Sequence, residues 1–181
     1  MQAVYLKKGK EISLMRKHPW VFSGAILKTE GEVEEGSIAR VLSSDGKFLG
    51  IGHFQNSSIS VRIFSFENIE IDRQFWINRI RSAFSYRREL NIFNSNTNCF
   101  RLAFGESDHL PGLVLDYYNG NIVFQAHSIG MHKIRETITE ALLNLEETEI
   151  KTVYDKSRES LPGNYANSIS NSFLYGTNDS T

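Results

Sequence analysis

The hydrophobic period of this 181-residue chain switches near residue 70, and that change limits the possible folds more than any other feature. Up to about residue 68 the apolar residues fall at strand spacing. "SISVRIFSF" (58–66) alternates, with Ile59, Val61 and Ile63 on one side and Ser60 and Arg62 on the other. From Asp72 to about Phe93 the spacing becomes helical, through Phe75, Trp76, Ile80, Ala83, Phe84 and Leu90, with Asp72 placed to cap the first turn. The two patterns demand different partners, so the chain should fold as two units, 1–68 and 70–165.

In the first unit, "AVYLKK" (3–8) and "VFSGAI" (21–26) read as strands around a short helix at 11–17, stopped by Pro19. Asp45-Gly46 separates two further strands as a hairpin turn. This gives a mostly β unit. In the second, the long helix and the polar loop 94–98 precede strands at 100–107, 112–118 and 121–128. A helix at 130–145 and a strand at 151–157 follow, an order that suggests a small α+β sandwich. Residues 166–181 are rich in Asn and Ser and poor in periodicity, so they read as a truncated linker.

Bulk properties exclude several classes. A formal net charge of -1 leaves no whole-chain attraction to nucleic acid or membrane, so any nucleic-acid site must be a local patch. The single cysteine, Cys99, can build neither an intramolecular disulfide nor a thiolate zinc site, which fits a reducing cytoplasm. Because it precedes a strand, it reads as a buried, inert thiol. No run reaches the roughly 18 apolar residues of a membrane span.

The stretch "GESDHLPGLVLDYYNGNIVFQ" (105–125) concentrates acids, a histidine and glycines. "VLDYYNGN" has the strand, acid and glycine of a nucleoside-cofactor loop, but only Gly120 is present and a strand follows. Asn119-Gly120 therefore reads as a type I′ hairpin turn. Asp108, His109 and Asp116 could form a small hydrolytic set only if they converged; loop chemistry accounts for them more simply. His127 and His132 are not spaced as a helical zinc pair, and no phosphate-cradling or nucleophile-elbow motif is present. Residues alone thus give no catalytic, cofactor-binding or metal set.

Binding chemistry is better represented. Lys7, Lys8, Arg16, Lys17 and His18 precede Trp20 and Phe22, with Glu11 the single acid among the first 20 residues. Cations beside aromatic faces suit phosphate contact and base stacking; a solvated basic turn with Trp20 in the core fits equally well. The long helix adds Arg73, Arg79, Arg81, Arg87 and Arg88, the last two placed to complement its dipole.

Two stretches together resemble one family. "KKGKEISLMRKHPWVFSGAI" resembles the N-terminal PUA domain of S-adenosylmethionine-dependent methyltransferases of large-subunit rRNA. "FRLAFGESDHLPGLVLDYYNGNIVFQ" resembles their central domain, and "KTVYDKSRES" and "FLYG" follow in the expected order. The resemblance covers nearly the whole chain. It implies an α+β protein: a PUA-like β pseudobarrel that grips rRNA, then a small α+β domain that bridges to a Rossmann-like catalytic domain. The best-known members methylate 23S rRNA at cytosine C5, with a cysteine thiolate adding to C6. The glycine-rich cofactor loop and that cysteine have no counterpart here, so the catalytic domain is expected to be absent.

The chain then reads as the substrate-recognition portion of such an enzyme, not catalytic by itself. Lys7, Lys8, Arg16, Lys17, His18 and Trp20 would face RNA, and S-adenosylmethionine would be bound elsewhere in the full-length family. A stand-alone RNA-binding or adaptor module is the alternative. The resemblance also admits a cytoplasmic homodimer. One departure stands out: where members often carry glycine before Leu-Pro-Gly, this chain has His109, which tolerates positive φ less well and should reshape the loop.

Overall fold

The computed structural model describes residues 2–177 and divides into two units, one ending at Ile69 and one beginning at Glu70. The first contains strands β1 (Gln2–Leu6), β2 (Trp20–Phe22), β3 (Ile26–Thr29), β4 (Ile38–Leu42), β5 (Phe48–Phe54) and β6 (Ile59–Ser65), with one short helix, α1 (Ile12–Met15). They form a single sheet in the order β2-β6-β5-β4-β1-β3. β1 runs parallel to β4, and the other pairings are antiparallel.

The sheet is curled rather than flat. Val21 on β2 and Ile26 on β3 lie at opposite ends of the strand order, yet both belong to one apolar core with Val4, Leu6, Leu14 and Val41. In a flat sheet those edges would stand roughly 24 Å apart at the usual inter-strand spacing. Register shifts at Tyr5/Leu6, Val21/Phe22, Val41/Leu42 and Ile51/Gly52 supply the bends. Gly52 permits the closest approach: a Cβ there would collide with the Arg62 carbonyl and come within 2.8 Å of Val61 Cγ1. The expected strand at 21–26 is broken, because Ser23–Ala25 forms a 3-10 turn that sends the chain from β2 to β3 on the other sheet edge.

The second unit opens on α2 (Arg73–Glu89), whose first turn is capped by Asp72 accepting from Phe75 N at 2.8 Å. Strands β7 (Cys99–Phe104), β8 (Leu113–Tyr118) and β9 (Asn121–Ala126) form an antiparallel meander. Helices α3 (Ile129–Lys133) and α4 (Arg135–Leu143) then cross over to β10 (Thr152–Asp155), which lies parallel to β9. The single helix expected over 130–145 is thus two helices meeting at Ile134. One face of the sheet packs against α2 through Phe84, Phe93, Phe100 and Tyr117, with Phe100 and Tyr117 stacked at 4.9 Å.

The stretch read as a truncated linker is partly structured. After α5 (Gly163–Ala166), residues Ser172–Tyr175 form β11, which pairs antiparallel with β10 and completes the sheet order β11-β10-β9-β8-β7. The Asn/Ser content around it hid this four-residue edge strand, none of whose residues is fully buried. Residues 178–181 of that stretch lie outside the described residues. No helix among the described residues is long and apolar enough to cross a membrane.

Candidate nucleic-acid interface

The basic N-terminal residues flank α1, with Lys7 and Lys8 before it and Arg16, Lys17 and His18 between it and β2. Leu14 is buried and anchors α1, while Ile12 and Met15 point outward. The chain reverses by placing Lys17 in the left-handed region at φ 63°, with Lys17 N donating to Leu14 O at 2.8 Å and His18 N to Ser13 O at 3.0 Å. Pro19 O then accepts from Ile63 N, which fixes the start of β2. Along β2, Val21 is buried and its neighbours Trp20 and Phe22 face the opposite side.

That alternation builds a partly exposed aromatic cluster. The His18 ring meets Trp20 edge-on at 5.7 Å, Trp20 meets Phe22 edge-on at 6.3 Å, and His18 lies 6.4 Å from Phe22. His18 Nδ1 accepts from Trp20 N at 3.2 Å, so the imidazole is held in place. Trp20 is half-buried, neither a core residue nor a free one, and Phe22 is 49% exposed. Lys17 Nζ sits 4.8 Å over the Phe66 ring. Lys7 Nζ donates to Gly24 O at 2.9 Å, just beyond the aromatic cluster. Lys8 and Arg16 are exposed. His18 and Trp20 thus meet at the turn before β2, Lys7 is tied to the 3-10 turn after it, and Lys17 is seated on Phe66. Phe22 belongs with them, and the "WVF" alternation was the signal for it.

The acid-rich segment is a structural device. Gly105–Asp108 forms a 3-10 turn, and Asp108 makes a two-pronged ion pair with the buried Arg87 guanidinium, Nη2 to Oδ2 at 2.8 Å and Nη1 to Oδ1. Asp108 also accepts from Phe104 N at 2.6 Å. Asp116 instead pairs with Arg101 across β7 and β8, at 2.8 Å. Asp108 and Asp116 thus serve different arginines, and no hydrolytic set with His109 forms. Arg87 was expected to complement the helix dipole; it is turned inward onto Asp108. His109 adopts φ 56°, ψ 30°, the left-handed conformation a glycine would take freely, so backbone strain is carried at that residue.

Cys99 is exposed, against expectation. On β7 its neighbour Phe100 takes the inward position, which turns Cys99 out. His132 is buried and joins Asp155 at 3.1 Å through Nε2 and Tyr165 Oη at 3.0 Å through Nδ1. Burial works to raise the Asp155 pKa, but hydrogen bonds from His132 and Ser157 outweigh it and hold the carboxyl below its usual range. Sequence spacing gave no sign of this network, since its members lie on α3, β10 and α5.

The stretch closest to a nucleoside-cofactor loop is a tight hairpin. Asn119 and Gly120 take φ 49° and 89°, joining β8 to β9, and a Cβ at Gly120 would come within 2.8 Å of Glu149 O. That turn opens a strand, not a helix. Among the described residues, no group of three or more His, Cys, Asp or Glu side chains is arranged to hold a metal ion.

Comparison with known proteins places the class first. Residues 4–66 match the family of PUA-like domains, which is the whole curled sheet. The chain is also similar in sequence to proteins named ribosomal RNA large subunit methyltransferase I. It is 42% identical to that protein from Vibrio cholerae over 143 residues, 78% of this chain and 36% of the relative. It is 38% identical to that from Tolumonas auensis over 156 residues, 85% of this chain and 38% of the relative. The chain thus spans little more than a third of the length of these relatives. Two solved structures share the fold: a proposed SAM-dependent methyltransferase from Streptococcus mutans (TM-score 0.76) and a proposed methyltransferase complexed with SAH (TM-score 0.77). Each is 17% identical, and this chain covers 44% of each.

Proposed function

We propose that this chain is the RNA-recognition portion of an S-adenosylmethionine-dependent rRNA methyltransferase, with cytosine C5 as the position modified by the full-length enzyme. Within it, the PUA-like unit grips rRNA and the second unit connects to a catalytic domain that supplies cofactor and nucleophile. The chain is not catalytic by itself. The observation that carries this reading is the partly exposed His18–Trp20–Phe22 cluster flanked by Lys7 and Lys17, in a PUA-like domain of a chain similar to rRNA methyltransferases. Aromatic faces stack on bases, and the surrounding ammonium and guanidinium groups of Lys8, Arg16 and their neighbours neutralise phosphates.

The test is binding of the chain to large-subunit rRNA fragments across a salt series, beside Lys7→Ala/Arg16→Ala/Lys17→Ala. Micromolar binding is expected to weaken linearly with log salt. The triple variant should flatten the slope by about 0.7–0.9 for each phosphate that it no longer neutralises. Equal slopes for both proteins would remove these residues from the interface.

A further inference from the structure

A second feature of the molecule also has the chemistry of RNA contact, and it lies wholly within the second unit. The solvent side of α2 carries a groove of about 460 Å³ lined by Asn78, Arg81, Ser82, Ser85 and Tyr86. It adjoins a hollow of about 210 Å³ that shares Ser82 and Tyr86 and is closed at its other side by the Ser107–His109 loop. Asn78, Ser82 and Ser85 recur at i, i+4 and i+7, so one stripe of the helix is short and polar where long charged side chains would ordinarily stand.

Two planar rings border this stripe. Tyr86 is 53% exposed, and the Arg87 guanidinium lies 5.6 Å from its ring centroid, at the buried end of the same turn. His109 is held in the left-handed conformation at the wall of the adjoining hollow. The turn beneath it is pinned by Asp108 on Arg87 and by Leu110 N donating to Gly105 O at 2.9 Å. All of the Asp108 carboxylate is engaged with Arg87 and Phe104 N, so Asp108 positions the loop and is not offered to a ligand. The backbone strain at His109 is carried at a residue that lines a hollow.

We infer that this groove and the adjoining hollow form a nucleotide subsite, in which one unstacked base of a single-stranded RNA segment enters the hollow lined by Tyr86 and His109. The lining matches that ligand in kind. Aromatic faces stack on a base of any sequence, the Asn78 amide and the serine hydroxyls offer donors and acceptors to base edges and 2′-hydroxyls, and Arg81 offers one cation for one phosphate. The lining is too polar for an apolar peptide. Glu89 sets a negative limit at one end of the groove, which favours a neutral base there over a phosphate. The inference rests on the RNA-binding reading above but on separate residues.

The experiment uses the full chain and an rRNA fragment carrying 4-thiouridine. Photo-crosslinked peptides are mapped by mass spectrometry, and affinity is read by fluorescence anisotropy in a salt series. Tyr86→Ala/His109→Gly removes both rings, and His109→Gly relaxes the backbone, so this pair keeps the loop folded. Affinity should fall about five-fold or more, the loss expected for one stacked base, with an unchanged salt slope. Crosslinks to Tyr86 should disappear. Ser85→Arg, which fills the groove from a half-exposed position, should weaken binding likewise.

Wild-type affinity in both variants, with no crosslinks in 78–89 or 107–109, would overturn the subsite. If the N-terminal triple variant alone weakens binding, the PUA-like grip stands and the groove does not. If the wild-type chain binds no rRNA fragment at all, both fall.

Discussion

Arg87 and Asp108 set the geometry of the whole 104–110 turn, and removing either should show it. Their side chains are only 10% and 5% exposed. Arg87 also donates through Nε to Arg101 O at 3.0 Å, tying α2 to β7. Replacing Arg87 with Met would leave a buried carboxylate with Phe104 N as its remaining donor. Breaking a buried pair from one side costs about 3–5 kcal/mol. Asp108→Asn strands the guanidinium but keeps an acceptor for Phe104 N, so a cost near the lower end of that range, about 3 kcal/mol, is expected. In the double variant neither charge is left alone, and the two losses should fall short of additivity by about 2 kcal/mol. Trp76 lies in this unit and Trp20 in the other, so a Trp20→Phe background makes fluorescence report the second unit alone. Urea unfolding of the four proteins gives the cycle. Additive losses, or single losses below about 1 kcal/mol, would show that the pair is not what holds the turn.

Three further outcomes follow from the packing. His53 is buried against Phe64, and burial first, then the charge of Arg62, lowers its pKa to about 3. The unfolded chain therefore binds the extra proton below its ordinary value near 6.5, and stability falls as pH drops from there towards 3; between pH 6 and 4.5 the first unit should lose about 2 kcal/mol, a dependence that His53→Gln abolishes in urea titrations. Gly52→Ala forces a methyl into the Arg62 carbonyl and should destabilise the curled sheet by about 1–3 kcal/mol, read as a lower urea midpoint. Asp72→Ala removes the cap on α2 and should cost about 1 kcal/mol, with faster amide exchange confined to the Phe75 turn.

Sequence periodicity made the framework legible where one physical rule dominated. The Asp72 cap, the Asp45-Gly46 and Asn119-Gly120 turns and the amphipathic strands β8 and β9 each depend on local chemistry that neighbouring residues spell out. What stayed hidden depends on partners distant in sequence. Arg87 reads as a helix-end cation until Asp108, 21 residues away, is seen to meet it. His132, Asp155 and Tyr165 meet only once α3, β10 and α5 are packed. β11 escaped because its four residues sit within an Asn/Ser-rich stretch and its place in the sheet comes from pairing with β10. Around α1, the cations and Trp20 were legible only as neighbours along the chain. The seating of Lys17 on Phe66 was not, since the two lie 49 positions apart.

The placement of β11 has a consequence for synthesis. Every strand of the PUA-like sheet has emerged by Ser65, so that unit can close while the rest is still being translated. The second unit cannot. Its β7–β8–β9 meander forms from neighbouring residues, but β10 arrives only after the α3–α4 crossover, and its free edge waits for Ser172–Tyr175. Until those residues leave the ribosome, Val153 and Tyr154 present unpaired backbone at a sheet border, the interval in which a nascent chain is open to chaperones or to pairing with another copy.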